Sequence, residues 1–319
     1  MKRSGFFVGA LLVLALCLAV HAQSGLSPET LPDQQLRSFI LLELRLPRLL
    51  IALLVGATLA LVGGCFQILF RNPLATPSTV GTTAGATLGA LVAFAVGFDG
   101  AWGVPAVTLF AFVGAVVATG SVLGVATSSR ARIEEILLAG IAITLAAGAI
   151  SQALHLISSE NAVFAAAQWS LGQLPQVGYD RVLLLLGPVL ICHAVLLAQK
   201  RALRVLSWGE ERARTVGVST RRVRGLVLLG GCLGVGAAVA LCGPIAFVGL
   251  LVPHLVRRLL GETAGVDLVT IAFSGAVFLL ASDTLAHFAW PGHEIPVGVV
   301  TASVGAPALF VLILRRARA

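Results

Sequence analysis

The 319-residue chain is 58% hydrophobic and 11% charged, with a formal net charge of +8. Soluble domains carry about 25% charged residues, so this chain has too little polar side chain to cover a water-facing surface, and lipid must be its main solvent. The basic excess does not point to nucleic acid, because the arginines are not interleaved with stacking aromatics; the cytoplasmic loops of a membrane protein are its simpler home.

In lipid every backbone polar group needs an internal partner, which leaves helices or a closed barrel. The apolar runs are long and continuous, not ten-residue alternations, so helices are expected. The first segment, Met1–Ala22, places Lys2 and Arg3 ahead of Phe6–Val20 and ends in small residues. A secretory signal has that pattern, and so does a retained first transmembrane helix; the segment alone does not choose. Apolar spans follow at about Leu49–Phe70, Thr79–Phe98, Val104–Ala126, Ile136–Ile157, Val182–Ala198, Gly225–Cys242, Ile245–Val256, Leu268–Phe288 and Pro296–Leu314. About 20 residues at 1.5 Å each cross the hydrocarbon core. Ile245–Val256 is too short to cross without its flanks.

The expected architecture is therefore all-α: a polytopic membrane protein of about ten transmembrane helices in a packed bundle, with residues 1–319 forming one transmembrane domain. Threading ten spans with the N-terminus inside puts 18 of the 22 lysines and arginines in the cytoplasm, leaving Arg37, Arg45, Arg48 and Arg181 outside. That bias is the positive-inside pattern. Rows of small residues at helical spacing, Gly56-Ala60-Gly64 and Gly81-Gly85-Gly89, suit close helix packing in lipid.

The five cysteines, Cys17, Cys65, Cys192, Cys232 and Cys242, lie inside apolar runs with no C-x-x-C spacing. They read as small buried hydrophobes, so neither a metal site nor a cofactor is expected. The two lysines, Lys2 and Lys200, have no P-loop context, so uphill transport would draw on a partner or an ion gradient. Candidates for ion coupling are His155, His193, Asp283 and His287; none forms a carboxylate relay, and a lone histidine in such a place reads more simply as a packing residue. The partner route has a positive signal. Leu206–Gly217 reads as a short polar helix in a cytoplasmic loop, with Glu210 and Arg214 at i,i+4 spacing and Gly217 as a C-cap. It suits a docking surface, although a merely solvated loop helix has the same pattern.

Four ordered motifs then carry a resemblance: Arg45-Leu46-Pro47-Arg48; Asn72-Pro73-Leu74-Ala75-Thr76-Pro77 running into Gly81–Ala86; Gly243–Leu250 with Pro253, His254 and Arg257; and Glu294-Ile295-Pro296 with Gly298–Ala302 and Gly305-Ala306-Pro307. With the Gly-Glu-Glu-Arg-Ala-Arg loop they span most of the chain. The sequence resembles the iron-siderophore, haem and cobalamin permeases (FecCD type) of type II ABC importers.

The resemblance implies a multi-pass subunit of a bacterial inner membrane that does no covalent chemistry. It implies a retained first helix, a second permease copy (a homodimer or a close heterodimer), and cytoplasmic ABC ATPase subunits docked around Gly209, Glu210, Glu211, Ala213 and Gly217. A periplasmic or lipid-anchored binding protein would deliver solute, docking on Arg45 and Arg48, with His287 where a relative carries a second docking arginine. The cytoplasmic gate of relatives falls at Ile133 and Glu134, where a glutamate departs from the small polar residues expected. The stretch Pro77–Thr82 is more similar to ferric-siderophore permeases than to cobalamin ones; haem or vitamin B12 is the alternative solute, and an ion-coupled secondary transporter the alternative class.

Overall fold

In the computed structural model the described residues are 2–23, 33–98, 100–101, 104–128, 132–175, 178–261, 267–288 and 294–317. They are overwhelmingly helical: α1 (Lys2–Gln23), α2 (Gln34–Phe39), a π-helical turn (Ile40–Arg45), α3 (Leu46–Leu69), a 3-10 turn (Pro77–Val80), α4 (Thr82–Val96), α5 (Ala106–Ala126), α6 (Ile133–Ile157), α7 (Glu160–Ser170), α8 (Tyr179–Ala198), α9 (Lys200–Leu206), α10 (Glu210–Thr215), α11 (Thr220–Cys242), α12 (Val248–Leu260), α13 (Leu268–Phe288) and α14 (Val297–Ala317). Gly100–Ala101 and Val104–Pro105 form a minimal antiparallel pair.

Among the described residues six helical stretches are long and apolar enough to cross a membrane: Gln34–Leu69, Ala106–Ala126, Ile133–Ile157, Tyr179–Ala198, Thr220–Cys242 and Leu268–Phe288. Gly5–His21, Thr82–Val96 and Val297–Val311 are shorter apolar helices. Together with α12 they fall on the ten stretches read from the sequence, so the chain is an all-α polytopic membrane protein.

The small-residue rows do what their spacing requires. α3 packs along α13 and α4 along α5. A Cβ on Gly56 would run into the backbone carbonyl of Gly275, and one on Gly85 into that of Gly114. Lipid supplies no hydrophobic drive between helices, so this backbone approach is what packs them. The five cysteines are buried with free thiols.

Local chemistry corrects several expected boundaries. The second span starts at Gln34, so the Arg45–Arg48 motif lies within a continuous helical stretch and not ahead of it. Asp33 caps that stretch, its carboxylate accepting from the Gln35 N–H at 2.8 Å. Pro47 explains the π turn. It has no N–H to give the Glu43 carbonyl one turn back, and that carbonyl instead accepts from Gly178 N–H at 3.4 Å. Of the stretch Leu206–Gly217 read as one short helix, Glu210–Thr215 is helical (α10), Leu206 is the last residue of α9, and residues 207–209 separate the two. α7, in what was read as an outer loop, starts at Ser159, whose hydroxyl accepts from Ala162 N–H. The short eighth span is a half-length helix, α12. Residues 243–247 ahead of it are non-helical and bring Gly249 against Gly63, seventeen residues into α3. Irregular backbone at such depth is tolerated where it lines a cavity or is buried in protein.

Candidate functional site

Two polar centres stand at opposite ends of α11. The first surrounds Arg48. Its guanidinium donates to both Asp283 carboxylate oxygens, Nη2 to Oδ1 at 2.9 Å and Nε to Oδ2 at 3.1 Å. A weaker contact reaches Glu294 at 3.5 Å. The Arg48 and Asp283 side chains are 10% and 0% exposed, so this is a buried pair, whereas the Glu294 side chain is 44% exposed. A forked guanidinium facing a carboxylate is the geometry that best compensates two buried charges.

His287, one turn beyond Asp283 on α13, has its Nδ1 3.1 Å from the Oε1 of Glu294, the oxygen that Arg48 also reaches. Its ring faces that of His21 at a centroid distance of 6.2 Å. Arg45 donates to the His21 backbone carbonyl and is half-buried. The end of α1 thus closes the cluster. Of the three residues expected at a docking surface, Arg45 and His287 come together at this end. Arg48 points inward, one turn deeper on the helix, and its charge is matched by Asp283.

Beneath this cluster is a cavity of about 320 Å³ lined by Arg48, Trp169, Gln173, Cys242, Glu294 and Pro296 among others. Backbone bonds hold its walls, Gln173 N–H to Cys242 carbonyl at 2.7 Å and Gly298 N–H to Gly172 carbonyl at 3.1 Å. A second cavity of about 240 Å³ lies between Thr76-Pro77-Ser78 and the non-helical Pro244–Phe247 segment, with Val235 and Val239 of α11 in its wall. Gly243 makes the turn into that segment at φ 71°, a conformation costly for a residue with a Cβ.

The second centre is the loop ahead of α11. α10 ends as expected: Val218 N–H reaches the Ala213 carbonyl at 2.9 Å and Gly217 N–H the Arg214 carbonyl at 3.0 Å. That is a Schellman cap with Gly217 at φ 80°. Glu210 and Arg214 meet at 3.0 Å. Glu210 also accepts from Arg224 at 2.8 Å, a partner that no local sequence pattern indicates. Ala213 is buried, while Glu211, Arg212, Thr215 and Val216 are exposed. Gly209 takes φ 122° at the N-terminus of α10. Eighteen residues of α11 separate Arg224 from Cys242 at the rim of the first cavity, about 27 Å at 1.5 Å per residue.

Ile133 and Glu134, the expected gate, form the first turn of α6, with Glu134 exposed. The neighbouring Glu135 caps that helix, its carboxylate accepting from Arg132 N–H at 3.1 Å, and acidic residues suit a helix N-terminus. Of the four ion-coupling candidates, Asp283 is neutralised by Arg48, and His193 Nδ1 lies 2.8 Å from the Val189 carbonyl on its own helix.

This arrangement among the described residues, six membrane-length helices with shorter apolar helices beside them, a buried polar clasp at one end and a capped loop helix at the other, has relatives. The FecCD transport family model matches residues 6–315. The chain belongs to the FecCD transport family. This FecCD protein is 35% identical to the hemin transport system permease of Yersinia pestis over 98% of its length and 95% of the relative's. It is 37% identical to the cobalamin import permease of Halobacterium salinarum over 85% of its length and 72% of the relative's. It is 35% identical to the ferric enterobactin permease of Escherichia coli, covering 88% and 84%. A solved structure described as an inward-facing metal-chelate-type ABC transporter superposes with a TM-score of 0.87 at 29% identity, covering 98% of this chain and 99% of that one. The chain is thus a multi-span membrane permease of the FecCD transport family.

Proposed function

We propose that this FecCD permease works in a bacterial inner membrane as the pathway of an ATP-driven importer for a ferric siderophore. It carries no nucleotide loop, and the observation that most supports a borrowed motor is α10, a capped, exposed, charged helix at the end of the bundle opposite the Arg48 cluster. In this reading ATPase subunits bear on Gly209–Gly217, chiefly through the exposed Glu211, Arg212 and Thr215. A binding protein with acidic docking groups meets the other end through Arg45, with His287 beside it. A second permease copy completes the pore, and the chain as a whole acts as one unit without covalent chemistry. Ile133 and Glu134, at the start of α6, border the inner mouth.

The test is reconstitution of the permease with its ATPase subunits and binding protein in liposomes, followed by uptake of a ferric hydroxamate, haemin and cyanocobalamin. ATP-dependent accumulation of the ferric hydroxamate is expected. Accumulation by the permease alone under a proton or sodium gradient would establish the ion-coupled class instead. Haem is the second reading for the solute, favoured by the full-length likeness to the Yersinia pestis hemin permease.

A further inference from the structure

The Glu210 carboxylate sits at the start of the loop helix, yet it does not face outward as Glu211 does. One oxygen accepts from Arg214 on its own helix at 3.0 Å. The other accepts at 2.8 Å from Arg224, in the second turn of α11. The Arg224 side chain is 7% exposed, so this arginine is part of the bundle and not of the loop surface. The connection between α10 and α11 is otherwise the short segment 216–219. A four-residue loop transmits little sideways force, whereas a bridged carboxylate with one oxygen on each helix fixes their relative orientation.

What α11 touches at its far end gives that fixation a use. The helix is buried along most of its length against α3, α5 and α8. Leu241 and Cys242 line the cavity under the Arg48 cluster, Val235 and Val239 line the second cavity, and the non-helical segment that follows forms the second cavity's wall. A displacement of α10 carried into α11 reaches both cavities without a further joint.

We propose that Glu210 and Arg224 are positioning residues whose ion pair makes α10 and α11 one lever, so that motion of a cytoplasmic motor at α10 reaches the solute path through α11. This rests on the ATPase reading above. It divides the loop's carboxylates: Glu211 faces the motor, and Glu210 transmits.

The test uses the complete permease–ATPase complex with Ser78→Cys as reporter. Ser78 is exposed in the wall of the second cavity, and the native cysteines are buried, so a water-soluble maleimide reads the introduced thiol. In the parent, ATP with vanadate is expected to change the labelling rate about tenfold, the scale of ordinary allosteric coupling. Arg224→Gln and Glu210→Gln should each remove most of that change, Arg224→Gln retaining bound ATPase subunits, and the swap Glu210→Arg with Arg224→Glu should restore at least part of it. Equal responses in parent and single variants overturn the lever. Loss of the ATPase subunits in Arg224→Gln also overturns it, since the pair would then serve docking. A parent that ignores nucleotide overturns the ATPase reading itself, and the lever with it.

Discussion

Arg48 and Asp283, 235 residues apart, form a buried forked ion pair that ties α3 to α13. The pair fixes the end of α13 that carries His287, and through Glu294 it fixes the segment that leads into α14. Its value is asymmetric. Two buried charges together gain little over an apolar pair, but one without the other is left uncompensated. Arg48→Ala or Asp283→Asn is therefore expected to destabilise the purified permease by about 3–5 kcal/mol, read by thermal unfolding in detergent. The double change Arg48→Met with Asp283→Leu should cost less than either single change; additive losses would show that the pair is not the unit.

Arg45 is expected to act on partner binding more than on stability, since it is half-exposed and donates to a backbone carbonyl at the end of α1. Arg45→Glu should weaken docking of an acidic binding protein by about tenfold or more at low salt, with a smaller difference at high salt. Immobilised permease and the purified binding protein supply the measurement. Unchanged docking at low salt would remove Arg45 from the interface.

The α3–α13 contact should tolerate no added side chain at its centre. Gly56→Val pushes methyl groups into the Gly275 backbone, and over-packing of this kind costs typically 1–3 kcal/mol, more where backbone must move. Gly187→Ala in α8 meets nothing within 4 Å and should be neutral or slightly stabilising. Unfolding midpoints of the two variants side by side decide this; equal midpoints would mean that the helices separate at no cost.

Asp267, between α12 and α13, offers an acid-sensitive tie. Burial raises its carboxyl pKa, but the Thr270 hydroxyl, donating at 2.8 Å, and Lys200 at 3.5 Å outweigh it and hold the pKa below the ordinary value of 3.8. A depressed carboxylate contributes stability above its unfolded value and loses it as pH falls through the folded one. The permease is expected to lose stability as pH drops below about 3.8, and Asp267→Asn to start lower and lose less over the same window. The pair is about one-third exposed, so the effect is small and weakens with salt. Parallel acid limbs in detergent-solubilised parent and variant would remove Asp267 from the acid response.

The sequence by itself determined the solvent, the all-α class and the local pairs. Apolar runs of membrane-crossing length leave helices as the backbone's way to satisfy its polar groups in lipid, and Glu210–Arg214 and the Gly217 cap follow from helical spacing alone. The tertiary structure decided everything that depends on partners distant in the chain. Arg45 and Arg48 look equivalent in sequence, three residues apart beside a proline; only the approach of α13 shows that Asp283 takes one of them inward and leaves the other half-exposed. Arg224 looked like one more cation in a basic loop until the turn at Val218 brought it onto Glu210. α7 was missed because its 11 residues are too few to cross the bilayer, and the start of the second span because polar residues mask a helix that Asp33 caps. Periodicity reports which face of a helix is buried, but which charge meets which across the bundle is set by packing, because the energy of a buried ion pair depends on distance and desolvation, and neither is written in local sequence.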